Sequence, residues 1–150
     1  MIALIQRVTS ASVTVAEQRI AEIEQGLLVL LAVEKKDDGE IAEKMAEKLL
    51  NYRIFADTQD KMNLSVSDIS GSVLLVPQFT LAAETQKGLR PGFSNAAKPE
   101  KGLELFSQLV DIMHEKGRFM AHDWLQTGRF GADMAVELVN DGPVTFYLSL

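Results

Sequence analysis

Cysteine is missing from all 150 residues. That removes a disulfide framework, a thiolate zinc site and a cysteine nucleophile, and nothing in the chain calls for an oxidising compartment. Long apolar runs are missing too. The opening MIALIQRVTSASVTV is interrupted by Gln6 and Arg7, too soon for a signal peptide or a membrane span, and it reads as a strand of a protein expected in the cytoplasm, with no membrane partner. Positive charge is in deficit: the formal net charge is -6, which argues against a protein that grips nucleic acid along its backbone, because such affinity comes from lysines and arginines displacing counterions. The usual catalytic signatures are absent as well. There is no Gly-x-Ser-x-Gly elbow, no glycine-rich phosphate loop after a strand and no His-Glu-x-x-His. The two histidines, His114 and His122, stand eight apart across Gly117. A shared metal would need a particular loop path and further ligands, so neither metal nor cofactor is expected. Asp57 and Asp60 fall in DTQDKMN, a turn by composition. No repeat, linker or low-complexity stretch divides the chain, and residues 1–150 are expected to form a single domain that buries roughly two thirds of the unfolded chain's surface.

What is present is an α+β pattern rich in strands. Ile2 to Val8, Ser12 to Ala16, Arg19 to Ile23 and Leu27 to Val33 are short β-branched or leucine runs set too close together for crossover helices, so antiparallel pairing is expected. Asp37 or Asp38 caps a helix that reaches about Asn51, with Ile41, Met45 and Leu49 on its core stripe. Ser72 to Val76 reads as a buried strand. A second helix begins near Pro99, a first-turn proline, and carries Leu103, Phe106, Leu109, Val110 and Met113 before Gly117 stops it.

Three stretches carry more than fold. Thr85 to Lys101 holds Lys87, Arg90, Lys98 and Lys101 against the single acid Glu100, a local balance of +3 on an acidic body. It is either a solvated loop or a place to hold the end of a nucleic acid. In VPQFTLAAET, Gln78, Phe79 and Thr80 follow a buried strand at once, so the ladder is expected to stop near Pro77 and leave backbone N–H groups free for an oxyanion. The alternative is plain strand alternation, with Phe79 and Leu81 in the core and Gln78 and Thr80 facing water. In NDGPVTFYLSL, Asp141-Gly142 lies between two apolar-alternating runs, Met134 to Val139 and Val144 to Leu150, the mark of a hairpin. Pro143 follows immediately, with no N–H to offer a ladder.

MIALIQRV, GLLVLLAVEK, NYRIFAD, DKMNLSV, VPQFTLAAET, LRPGFS, TGRFGADM and NDGPVTFYL, in this order, resemble the D-aminoacyl-tRNA deacylase family in its bacterial Gly-cisPro form. The resemblance spans essentially the whole chain. It implies an antiparallel β-barrel-like sheet with helices packed on the outside, a homodimer with its active site at the subunit interface, and a metal-independent hydrolase that cuts the ester joining a D-amino acid, or glycine, to the 3'-terminal adenosine of tRNA. That is chiral proofreading of translation. The family's active-site strand matches Pro77, Gln78, Phe79, Thr80 and Leu81, and its Gly-Pro dipeptide matches Gly142 and Pro143, which would reach from one subunit into the other and aim carbonyls at the substrate's α-amino group. Chirality is then selected by exclusion. Arg7 matches the arginine that braces the dipeptide. In the family the adenosine and its 2'-hydroxyl help to activate the attacking water, and Thr80 has no base beside it in the sequence. Lys87, Arg90 and Lys98 would meet the tRNA.

This sequence departs from the family in three places. Pro77 replaces a serine, removing a hydroxyl and an N–H. Gly92 replaces another serine and would loosen its loop. The segment from His114 to Gln126 is longer than the family pattern, and Trp124 within it is expected to belong to a surface elaboration. Competing classes are a binding module that keeps the pocket but has lost turnover through Pro77, and a binder of small D-amino acids.

Overall fold

The computed structural model describes residues 1–121 and 123–150. Its first strand, β1 (Ile2–Val15), joins two runs that the sequence separates. The turn-like residues Thr9 and Ser10 form no turn: they are exposed, at an irregularity in register between Val8 and Ser10. The irregularity bends the strand. Ala3 and Ile5 before it enter the core beneath the helices, whereas Val8, Ala11 and Val13 join a second apolar cluster on the other side of the sheet. Two residues in left-handed conformation, Ala16 and Glu17, turn the chain into β2 (Gln18–Ile23), which pairs antiparallel with the second half of β1. β3 (Gly26–Ala32) returns along the first half, again antiparallel.

Asp38 caps α1 (Gly39–Asn51) by accepting from the Ile41 N–H at 3.0 Å, one of the orphan donors of a helix start. After α1 come the short strands β4 (Phe55–Ala56) and β5 (Met62–Leu64), which pair only with each other. Asp57 ties their turn together, accepting from the Asn63 side chain and from the N–H groups of Lys61 and Gln59. Those donors hold its carboxyl pKa below the ordinary aspartate range.

Beyond α1, β6 (Ser72–Pro77) lies parallel to β3. A helical crossover makes that direction possible. A second crossover, α2 (Pro99–Lys116), ends at Gly117 and leads to β7 (Leu125–Thr127), parallel to β6. The sheet is therefore antiparallel around β1 and parallel from β3 to β7, an α+β, nearly closed barrel. GLLVLLA and SVLLVP are apolar throughout because β3 and β6 are covered on both faces. Leu27, Val29, Val73 and Leu75 meet Met45, Leu49, Leu109 and Met113 of the helices, while Leu28, Leu74 and Val76 face the second cluster. The α2 stripe differs from expectation at its start: Gly102 and Leu105 are buried and Leu103 is exposed. Trp124 is no surface residue. It is 4% exposed and seated so closely on Gly117 that a Cβ there would lie 2.3 Å from its ring.

β8 (Ala135–Ser149) closes the sheet on the free side of β1. The last residues also fix the first. The Met1 ammonium is fully buried, and it donates to Asp37 at 2.6 Å, the Leu150 carbonyl at 2.9 Å and Glu34 at 3.0 Å. Three N–H groups find three acceptors, the condition under which burying a charge is tolerable.

Candidate active site

The hairpin expected at Asp141-Gly142 does not form. β8 continues in one direction on both sides of it, because both of its apolar runs pair with β1: Ala135 to Asn140 with Thr14 to Val8, and Thr145 to Ser149 with Gln6 to Ile2. Between Val8 and Gln6 the first strand spends one residue, Arg7, while between Asn140 and Thr145 the last spends four. The surplus, Asp141 to Val144, bulges from the sheet. Gly142 and Pro143 are exposed, the peptide between them is cis, and neither residue is paired with one of β1.

Arg7 stands opposite the bulge. Its Nε donates to the Asp141 carbonyl at 3.0 Å and pairs with the Asp141 carboxylate at 3.1 Å, while another guanidinium nitrogen donates to the Ile54 carbonyl at 2.7 Å. One planar fork thus ties the near end of the bulge to the segment before β4. Sequence reasoning missed the tie at the far end. Asn140 accepts from the Val144 N–H at 2.9 Å and returns a bond from Nδ2 to the Val144 carbonyl at 3.1 Å. Its signal was an amide at the last paired position before an interruption of the ladder, a place where Asn side chains stand in for backbone.

The second group of candidate residues lies at the end of β6. Alternate residues of β6 bond to alternate neighbours: Val73 N–H donates to Trp124 and the Leu75 carbonyl accepts from Gly128, so position 77 faces the same side, beyond the last pair of β6 with β7, Leu75 with Thr127. Position 77 therefore lies past the end of β7. Proline is tolerated at such an edge, and its ring packs on Gly128, where an added Cβ would stand 3.3 Å from Pro77 Cδ. The ladder extends one residue further than expected, since Gln78 N–H donates to Leu31 at 2.7 Å. The chain then makes a single 3-10 turn, Phe79–Ala82, which is neither an open row of N–H groups nor a continued strand. Leu81 and Ala82 pack on Ile2, Ala32 and Ala96. Phe79 is 61% exposed, with its ring 5.3 Å from that of Phe93. Among the described residues, the N–H groups of Phe79 and Thr80 donate to no backbone carbonyl, as the first turn of a helix requires. The Thr80 hydroxyl accepts from Gln78 Nε2, so its neighbour is a donor and not a base.

Gly92 does not loosen its loop. It makes two backbone bonds with Glu84, at 2.7 and 3.0 Å, closing the segment that carries Lys87 and Arg90; these two and Lys98 are exposed. His114 lies edge-on to Trp124, and His122 lies outside the described residues. Among the described residues no group of three or more metal-ligating side chains converges, and no helix is long and apolar enough to cross a membrane.

The two groups of site residues are not brought together within one chain. Arg7 pairs with Leu27 at one end of β3, and Pro77 pairs with Leu31 near the other. Four residues of strand, about 13 Å, separate the two registers.

A curled α+β sheet with an exposed Gly-Pro bulge at one end and a 3-10 turn led by the exposed Phe79 at the other has known counterparts. Residues 4–149 match the protein family described as D-Tyr-tRNA(Tyr) deacylase. Curated proteins called D-aminoacyl-tRNA deacylase, from Photorhabdus laumondii and Salmonella enteritidis, are 55% and 57% identical over 150 residues, covering all of both chains. A solved structure called c-Myc DNA unwinding element binding protein superposes with a TM-score of 0.93 at 36% identity, covering 100% of this chain and 99% of its own. The chain belongs to the D-aminoacyl-tRNA deacylase family.

Proposed function

We propose that this protein hydrolyses the ester between a D-amino acid, or glycine, and the 3'-terminal adenosine of tRNA, and that it does so as a homodimer. The family membership supports the reaction. The observation that carries the dimer is the split site: the exposed Gly142 and Pro143 carbonyls and the Phe79 and Thr80 N–H groups lie at opposite ends of β3, so a complete site needs the bulge of a second copy. Chemically the halves are complementary. Two carbonyls in a bulge held at its ends by Arg7 and Asn140 suit an α-ammonium group, and two N–H groups suit the oxyanion that develops as water attacks the ester. Water adds to the ester carbonyl, the tetrahedral intermediate expels the ribose oxygen, and free amino acid and tRNA leave. With the ammonium and the carbonyl both fixed, the two hands place their side chains on opposite sides, and only one is open.

Thr80 is a binding residue here and not a nucleophile, because nothing beside its hydroxyl takes a proton. The activating group is then supplied by the substrate's own 2'-hydroxyl, and no metal or cofactor enters. Lys87, Arg90 and Lys98 hold the acceptor end of the tRNA, and the reaction belongs in the cytoplasm with translation. A binding module that has lost turnover is less favoured, since Pro77 lies beyond the last pair of β6 with β7, where proline is tolerated. DNA binding, which the name of the solved relative attaches to that protein, is at odds with a net charge of -6 and so small a cationic patch.

The test is a deacylation assay on matched D- and L-tyrosyl-tRNA in EDTA, with sedimentation to measure mass. Rapid release of D-tyrosine only, by a dimer, is expected. Equal rates on both hands, or an active monomer, refutes the proposal.

A further inference from the structure

Asp141 to Val144 leaves the sheet as four residues opposite one, and such a surplus has no ladder to hold it. Its near end is fastened by Arg7 through Asp141. Its far end is fastened by the side chain of Asn140, which closes a ring with both backbone groups of Val144 and adds a bond from Nδ2 to the Thr145 hydroxyl at 3.3 Å, just before the ladder resumes at Thr145 with Gln6. Asn140 is half-buried and Val144 buried, whereas Gly142 and Pro143 between the two fastenings are exposed. An amide is the right group for this ring. It presents one acceptor and one donor in a plane, as a neighbouring strand would, and neither a carboxylate nor an aliphatic side chain offers both. The Asp141 carbonyl and both backbone groups of Val144 are thereby occupied, and Gly142 and Pro143 lie exposed between them.

We propose that Asn140 is a positioning residue for stereochemical selection: through Val144 it sets the direction of the Gly142 and Pro143 carbonyls, and with it the preference for D over L substrates. The proposal rests on the reading that these carbonyls receive the substrate's ammonium group. Fixing only the near end would leave the carbonyls free to swing about Asp141, and a misplacement of about 1 Å at a substrate-positioning group costs on the order of a hundredfold.

Asn140→Ala and Asn140→Asp are compared with the parent protein for kcat and KM on D- and L-tyrosyl-tRNA between pH 5 and pH 8. Asn140→Ala is expected to lower kcat/KM for the D substrate at least about tenfold, mostly through KM, and to narrow the ratio of D to L rates at every pH. Asn140→Asp separates positioning from folding. Ionised, its carboxylate faces the Val144 carbonyl and the ring opens; protonated, it again carries one donor and one acceptor. Its D over L ratio should therefore be poor at pH 8 and recover towards pH 5 relative to the parent, while that of Asn140→Ala stays flat. Arg7→Ala serves as the second arm. If Arg7→Ala narrows the D over L ratio and neither Asn140 variant does, the assignment to Asn140 is overturned while the reading of the bulge stands. If none of the three changes the ratio, the reading of the bulge falls and the proposal with it.

Discussion

Gly142→Ala adds a single methyl group to the bulge, and its consequence can be worked from the surroundings. The new Cβ would lie 2.4 Å from the Val144 nitrogen and 2.6 Å from Val144 Cγ2. An ordinary contact needs about 3.4 Å, so the backbone has to open by about 1 Å, the difference between 3.4 and 2.4. The atom displaced is the donor that Asn140 holds at 2.9 Å, and a shift of that size carries it out of hydrogen-bond range. Overpacking of this kind costs about 1–3 kcal/mol. Because the bulge is exposed and sits outside the ladder, the change should fall on its shape and leave the sheet intact. The expected outcome is a folded protein with a melting temperature lowered by roughly 2–12 °C, about a hundredfold lower kcat/KM on D-tyrosyl-tRNA, and a D over L ratio narrowed to match. Initial rates on both hands, with circular dichroism melts as the control on folding, decide it. A Gly142→Ala protein that is folded and retains the parent's D rate would refute the assignment of the carbonyls to substrate.

Thr80→Ala should retain activity within about tenfold, since the backbone N–H at residue 80 survives the change; a loss approaching a million-fold with the fold intact would make the hydroxyl a nucleophile. Pro77→Ser should leave kcat/KM unchanged or raised, because position 77 lies beyond the last pair of β6 with β7, and a drop beyond tenfold, about 1.4 kcal/mol of barrier, would show a site rebuilt around proline. Asp37→Asn should destabilise the protein by about 3 kcal/mol in urea unfolding, as one-sided removal of a charge from a buried pair does. A change below about 1 kcal/mol would mean that Glu34 and the Leu150 carbonyl suffice for the Met1 ammonium.

Local chemistry was legible in the sequence wherever one residue settles the matter. Asp38 and Pro99 mark helix starts because capping and a missing N–H act within a single turn, and Gly117 marks the stop. Pairing across the chain was less legible. Thr9-Ser10 and Asp141-Gly142 both have turn chemistry, yet each lies within a continuous strand, because β1 and β8 are long enough to pair on both sides of them and the ladder outweighs a local preference. The parallel order of β3, β6 and β7 follows from what α1 and α2 cross over, which no strand encodes by itself. At the candidate site, Arg7, Gln78 to Thr80 and Gly142-Pro143 stand out as residue types. Asn140 did not, since its use depends on the ladder breaking at the next residue. Trp124 was misplaced because its burial depends on Gly117, seven positions away and without a side chain.

The pairing of β1 with β8 also orders events in time. The strand that borders β2, β3 and β8 leaves the ribosome before all three, and its longest partner leaves after the other strands and both helices. Until then an edge of some fourteen residues, including the position of Arg7, has nothing to bond. Contacts so distant along the chain are slow to form, and an unsatisfied edge invites a neighbouring chain. The nascent protein can assemble β3, α1 and β6 early, but it can complete neither the sheet nor the bulge before the final segment arrives. A truncated product would therefore lack both the far wall of the barrel and the element that Arg7 is placed to hold.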